Sequence, residues 1–242
     1  MKKLFYLLFG LCFFVQCQPV NTVEEPNRPN IILIVADDLG YADLGCYGSS
    51  FYDTPVLDAL AEDGIRFTDG YATCPVCSPS RVSLQTGKYP VKTGVTDWIP
   101  GRATYRNSTP TDRWTSGLSE TELELEETTV AEVLQQGGYK TYFAGKWHLG
   151  EEEQYWPKNQ GYDINIGGFR RGAPTLSPQD SCFGYFSPYC NPRLEDGPEG
   201  EYMADRLAAE TTQFIEANQD SAFFVCLSFY LVHNPLQAKE AT

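Results

Sequence analysis

Residues 31–36 read Ile-Ile-Leu-Ile-Val-Ala with no polar interruption. A run of this length, rich in β-branched side chains, predicts a strand buried on both faces. Similar runs over residues 139–144 and 222–230 predict two more strands. Between them, residues 202–217 place Met203, Leu207, Phe214 and Ile215 broadly on one side of a helix. Thr54-Pro55 is a helix start with proline in the first turn, and Gly64 is its stop. Residues 128–136 predict a further helix ended by Gly137-Gly138, and residues 65–67 a short strand. Residues 77–80 fall in a loop, with a helix starting over 81–85. The stretches 91–117 and 150–198 read as a polar excursion and as ordered loops outside the sheet core. Strand, polar residues and helix recur in that order, which predicts an α/β fold: a mostly parallel central sheet with helices on both faces. Ligands of such sheets bind beyond the carboxyl ends of the strands. Asp37, Lys146 and His233 each fall just past a predicted strand, so three distant segments are expected to meet at one edge.

The amino-terminus departs from this pattern. Lys2 and Lys3 precede an uncharged, mostly apolar run over residues 4–15, too short to span a bilayer and of secretory-signal length. Residues 1–17 are therefore expected to be a signal peptide, 18–29 a polar linker, and 30–242 a catalytic portion. Cys17 stands where a bacterial lipoprotein carries its lipid, although Gln16 occupies a position that usually holds a small residue. The expected location is exported: periplasmic, or anchored to the outer membrane as a lipoprotein of a Gram-negative cell, with lipid anchoring and plain cleavage both open. The chain has 32 acidic against 18 basic residues and a formal charge of −14. That balance argues against a nucleic-acid partner, which needs clustered Lys and Arg. It also requires any anionic substrate to be met by a local positive site. The eight cysteines suit disulfides in an exported chain, and Cys182 and Cys190 flank a loop they could close.

Candidate chemistry sits at four places. Asp37-Asp38 is the only Asp-Asp pair, and two adjacent carboxylates are relieved by a hard cation such as Ca²⁺ or Mg²⁺. Cys77-Ser78-Pro79-Ser80-Arg81 fits Cys-x-Pro-x-Arg, on which a cysteine is oxidised to the aldehyde Cα-formylglycine. The hydrate of that aldehyde has two geminal hydroxyls, one to attack sulfur and one to expel sulfate afterwards. Arg81, four positions on, would return beside Cys77 on a helix. In Gly145-Lys146-Trp147-His148-Leu149-Gly150, an extended backbone would point Lys146 and His148 to one face. Of the two histidines, the second is His233, in Val232-His233-Asn234-Pro235.

Together these segments resemble the formylglycine-dependent sulfatases of the alkaline-phosphatase superfamily, from about Pro29 onward. The resemblance implies that Asp37, Asp38 and the formylglycine at Cys77 bind one calcium ion. Arg81 and Lys146 would steady the formylglycine and the sulfate. His148 would take the proton that lets sulfate leave, and His233 would act at the leaving-group oxygen. It also implies a formylglycine-generating maturation enzyme as a partner and a sulfated small molecule or glycan as substrate. The family completes its metal site with an Asp-Asn pair. This sequence has none, and nine residues follow His233, so the chain is expected to be the amino-terminal part of such an enzyme, weak in calcium binding and turnover on its own.

Three rivals remain at this level. A phosphate or phosphonate ester hydrolase of the same superfamily would share Asp37 and Asp38. A sulfated-glycan binding fragment would leave Cys77 unmodified. A thiol oxidoreductase would use Cys74 and Cys77 as a redox pair. Arg102, Arg106, Arg113, Arg170 and Arg171 are either an outer subsite for a polyanion or ordinary surface charge.

Overall fold

A computed structural model of the protein describes residues 28–100, 119–174 and 182–240. Four strands, β1 (Ile31–Val35), β2 (Lys140–Gly145), β3 (Ile164–Ile166) and β4 (Phe223–Ser228), form one sheet in the order β1-β4-β2-β3. Every pairing is parallel. Val35 and Gly145 both stand opposite Ser228, so the carboxyl ends of the three long strands finish in one row.

Strand periodicity sorts the apolar side chains into two layers. Phe143, Phe224 and Cys226 join Val82 of helix α2 (Cys77–Thr86) and Ala131 of helix α4 (Val130–Gln136) on one face. Tyr142, Ala144, Phe223, Val225 and Leu227 join Met203, Leu207 and Phe214 of helix α5 (Met203–Ala217) on the other. The expected parallel α/β sheet with helices on both faces is the observed one. Helix α1 (Pro55–Asp63) starts after Thr54 and stops at Gly64, as the Thr-Pro and Gly signals predict. Helix α4 is started by a capping box: Glu132 N donates to Thr129 Oγ1 at 3.1 Å, and Thr129 N to Glu132 Oε2 at 2.7 Å. Helix α3 (Pro90–Thr93) is a single turn in the excursion that begins at residue 91.

Four expectations need correction. β1 is not buried on both faces: Ile32 and Ile34 are 48% and 59% exposed, while Ile31 and Leu33 pack on the α2/α4 side. β1 lies at the sheet edge, and α5 reaches β2 and β4 instead. Residues 65–67 are not a strand. The loop-rich stretch after residue 150 does contribute a strand, β3, paired with β2 through Tyr142, Phe143 and Ala144. Finally, α2 begins at Cys77 itself, with Ser80 N donating to Val76 O at 3.1 Å. Pro79 is tolerated there because first-turn amides have no helical acceptor to lose.

Cys182 and Cys190 form a disulfide that closes their loop, while Cys46, Cys74, Cys77 and Cys226 are free thiols. Among the described residues no helix is long and apolar enough to cross a membrane. The signal segment, Cys17 and Arg102, Arg106 and Arg113 lie outside the described residues.

Candidate active site

The row of strand ends is locked by one guanidinium. Arg81, one helical turn beyond Cys77, reaches three acceptors. Nη2 donates to Asp37 Oδ1 at 2.6 Å, and Nη1 donates to Ser228 Oγ at 2.6 Å and to Lys146 O at 2.7 Å. These partners follow β1, end β4 and follow β2 respectively, so a planar fork of donors holds three strands together. The Lys146 ammonium donates to Asp37 Oδ2. Asp37 therefore sits between two cations, and all three side chains are buried. Burial alone would raise the Asp37 pKa, but the charges of Arg81 and Lys146 outweigh it and hold the carboxyl below its usual range. Burial and the Arg81 charge push Lys146 down, against the pull of Asp37 and Cys77. The close approach of β2 and β4 at this row needs Gly145: its φ is +104°, and a Cβ there would lie 1.9 Å from Ser228 O.

Lys146 and His148 were expected to share a face of an extended segment. His148 has a left-handed backbone, φ +60°, so the segment departs from the extended form that expectation assumed. Its Nε2 meets the carbonyl of Ile99, which can only accept, so Nε2 carries the proton and Nδ1 holds the lone pair. Nδ1 is buried and has no hydrogen-bond partner among the described residues. Burial, reinforced by the Lys146 charge, lowers the His148 pKa to about 3, so the ring is neutral near pH 7.

Two residues that sequence reasoning passed over hold this histidine. Ser78 Oγ donates to His148 O at 2.9 Å and accepts from Ile99 N at 3.0 Å. It occupies an unspecified position of the Cys-x-Pro-x-Arg pattern, so its only sequence signal is adjacency to Cys77. Gly172 packs edge-on against the imidazole: a Cβ there would stand 2.2 Å from Cε1 and 2.4 Å from Nδ1. No motif marks that glycine. Ser228 was likewise invisible, being one small polar residue at the end of an apolar strand.

Cys77 lies between two cavities. The inner one, about 400 Å³, takes in Asp37, Asp38, Cys77, Ser80 and Arg81. The outer one, about 550 Å³, has Cys77, Asp38, His148 and His233 together with Trp98 and Arg171. His233 Nδ1 faces Asn234 O at 2.9 Å, leaving Nε2 at 3.9 Å from Asp38 Oδ2. Tyr185 fixes this loop from below, its hydroxyl donating to His233 O at 2.7 Å. Asp37 N donates to Leu231 O and Val232 N to Asp37 O, at 2.8 and 2.7 Å, which brings the His233 loop alongside the aspartates.

Asp37, Asp38 and His233 offer ligand atoms within 4.8 Å of one another. Two adjacent carboxylates beside one cavity suit a hard divalent cation. Both Asp37 oxygens already accept from cationic groups, but each keeps a further lone pair, and Asp38 is exposed. The residues fit such an ion as part of its ligand shell. Six to eight oxygens are about what calcium takes, so this set alone leaves the shell incomplete. Asp37, Asp38, Cys77, Arg81, Lys146, His148 and His233 thus gather at one sheet edge. Lys146 is the exception in orientation, its ammonium meeting Asp37 and not lining either of these two cavities.

Residues 29–242 match the family model for sulfatases. Human arylsulfatase A is 49% identical over 141 residues, which are 57% of this chain and 25% of that protein. Arylsulfatase G of Rattus norvegicus is 44% identical over 167 residues, 66% of this chain and 28% of its own length. The chain thus spans about a quarter of the curated relatives it matches. Among solved structures, Ps i-CgsB in complex with k-i-k-neocarrahexaose superposes with a TM-score of 0.68 at 33% identity, over 88% of this chain and 47% of that one. BT4656 in complex with its substrate D-glucosamine-2-N,6-O-disulfate gives 0.62 at 26% identity, over 86% and 35%.

Proposed function

The chain belongs to the sulfatase family, and from that premise we propose that it cleaves sulfate esters at position 77, with Cys77 converted to formylglycine and one calcium ion bound by Asp37 and Asp38. The observation that carries this reading is the placement of Cys77. It opens helix α2 between the aspartate cavity and the histidine cavity, one turn from Arg81. A helix amino-terminus favours the negative charge of a sulfate. As its hydrate, formylglycine supplies one hydroxyl that attacks sulfur and a second that later expels sulfate. A bound calcium would polarise the sulfate oxygens.

The chain's own residues divide the remaining work. Asp37, clamped by Arg81 and Lys146, stays ionised and fixed. His148 is neutral with a lone pair on Nδ1, the state needed to accept a proton and not to give one. His233, whose Nε2 is left uncommitted at the outer cavity, exchanges a proton with the leaving-group oxygen. Lys146 acts by holding Asp37; a direct contact with sulfate would require it to leave that carboxylate.

The substrate is a sulfated carbohydrate. Support comes from the solved relatives that hold saccharides, one of them a disulfated glucosamine. A formylglycine-generating enzyme is the implied maturation partner, and export with or without a lipid at Cys17 remains part of the proposal. Paired assays on aryl sulfate and aryl phosphate, with Cys77→Ala as the blank, test the reaction class. Sulfate release that vanishes in the variant is expected. Faster release of phosphate than of sulfate would favour a phosphate ester hydrolase instead.

A further inference from the structure

His233 stands on a stretch that the core does not hold. From Leu231 to Glu240 no residue is buried, and Leu236 is 85% exposed. A segment with so little apolar burial keeps its place through hydrogen bonds and opens where they are lost. On the near side of the histidine, Val232 N is tied to Asp37 O. On the far side the ties come from a loop distant in sequence, Cys182–Cys190, whose disulfide joins ends 8 positions apart. Tyr185, inside that loop, is 1% exposed, although Pro188 and Cys190 are exposed. This one residue grips the His233 stretch twice. Its hydroxyl donates to His233 O and its amide to Gln237 Oε1, both at 2.7 Å. Gly184 makes room for the second contact: its φ is +81°, and a Cβ there would lie 1.9 Å from Gln237 Oε1.

The loop is itself anchored on helix α5. Met203 N, in the first turn of α5, donates to Tyr185 O at 2.8 Å, and Ser187 N donates to Glu201 O at 2.9 Å. Tyr202, just before α5, donates its hydroxyl to Gln237 O at 3.1 Å. Helix α5 packs on β2 and β4, so contacts run unbroken from the sheet through α5 and Tyr185 to His233. We propose that the Cys182–Cys190 loop is the positioning element for His233, with Tyr185 as the positioning residue. The proposal rests on the reading of His233 as the group that exchanges a proton with the leaving-group oxygen, and it adds what holds that imidazole at the outer cavity. A phenol remains a hydrogen-bond donor across neutral pH. The disulfide removes alternative conformers of the loop, so Tyr185 is in place before any substrate arrives.

Nuclear magnetic resonance reads this directly, because the chain has two histidines and hence two imidazole Cε1–H signals, which His233→Ala assigns. Tyr185→Phe keeps the ring and removes the hydroxyl. It is expected to shift or broaden the His233 signal and leave that of His148 in place. It should also cut kcat for sulfate release about fivefold with KM within about twofold, the worth of one buried hydrogen bond. Gln237→Ala removes the second grip, and the paired change Cys182→Ser and Cys190→Ser frees the loop ends; each should move the same signal by less. A His233 signal unmoved in all of these variants, or an unchanged kcat in Tyr185→Phe, would overturn the proposal and leave the sulfate reading standing. Movement of both histidine signals together would assign the loop to the fold at large, which overturns positioning as well. Sulfate release that survives His233→Ala would overturn the role of His233, and this inference with it. No release from the unaltered chain bearing formylglycine would overturn the sulfate reading, while the resonance signals still decide whether Tyr185 holds His233.

Discussion

Inward of Cys77, the charged side chains are buried and committed to one another: Asp37 to Arg81 and Lys146, and Arg81 also to Ser228. Outward of it, Asp38 and His233 face each other at 3.9 Å with no hydrogen bond, and Arg170 and Glu151 pair at the surface. The inner set joins three strand ends and is inseparable from the fold. The outer set lines open space and is available to a ligand. Substitutions should therefore divide cleanly: inner ones lower stability and activity together, whereas outer ones change activity alone.

Arg81→Ala is the harshest break. It strands a buried carboxylate beside Lys146 and leaves Ser228 Oγ and Lys146 O without their donor. Removing one member of a buried pair costs about 3–5 kcal/mol, which urea denaturation should read as a large fall in midpoint. Arg81→Lys should recover little, because an ammonium cannot span the three acceptors. A smaller loss, about 1–3 kcal/mol, is expected for Ser78→Ala, which strips the link between Ile99 N and His148 O. A parent-like midpoint for either variant would remove the distinction between the two sides.

His148, buried although it borders the outer cavity, adds a pH signature. Its folded pKa, about 3, lies below the ordinary 6.5. Between those values the unfolded chain takes up a proton that the folded chain refuses. Stability is thus fully present above about pH 6.5 and falls as pH drops toward 3. Asp37, whose pKa is also depressed, adds a loss only at the acid end, below its ordinary 3.8. His148→Gln should flatten the decline between pH 6.5 and the onset of that acid loss. An unchanged slope in acid-unfolding curves would contradict the buried neutral imidazole.

The mildest structural effects belong outside. His233→Ala and Asp38→Asn should stay within about 0.5 kcal/mol of the parent in stability, as surface changes do. Both should nevertheless abolish most sulfate release, and Asp38→Asn should also weaken calcium binding. A destabilisation as large as that of Ser78→Ala would mean that the outer residues are structural.

Much of this arrangement was legible in the sequence, because it depends on local rules. Apolar runs of strand length, a Thr-Pro start, Gly stops and one helical apolar stripe located β1, β2, β4, α1, α4 and α5. Adjacency to strand ends gathered Asp37, Lys146 and His233. What escaped depends on tertiary context. The exposure of Ile32 and Ile34 reflects which strand lies at the edge, and no run of apolar residues reveals that. The left-handed backbone of His148 departs from the extended segment that the alternation argument assumed. Ser78, Ser228 and Gly172 matter through partners 70, 147 and 24 positions away. Single small residues carry no periodic signal of such contacts. The Cys-x-Pro-x-Arg pattern pointed to Cys77, but not to the cysteine itself starting the helix.

The most direct test is the chemical state of position 77. The tryptic peptide from Phe67 to Arg81, taken from chain produced beside a formylglycine-generating enzyme, can be read by mass spectrometry. The account predicts an aldehyde at Cys77; an intact thiol in that host would contradict it.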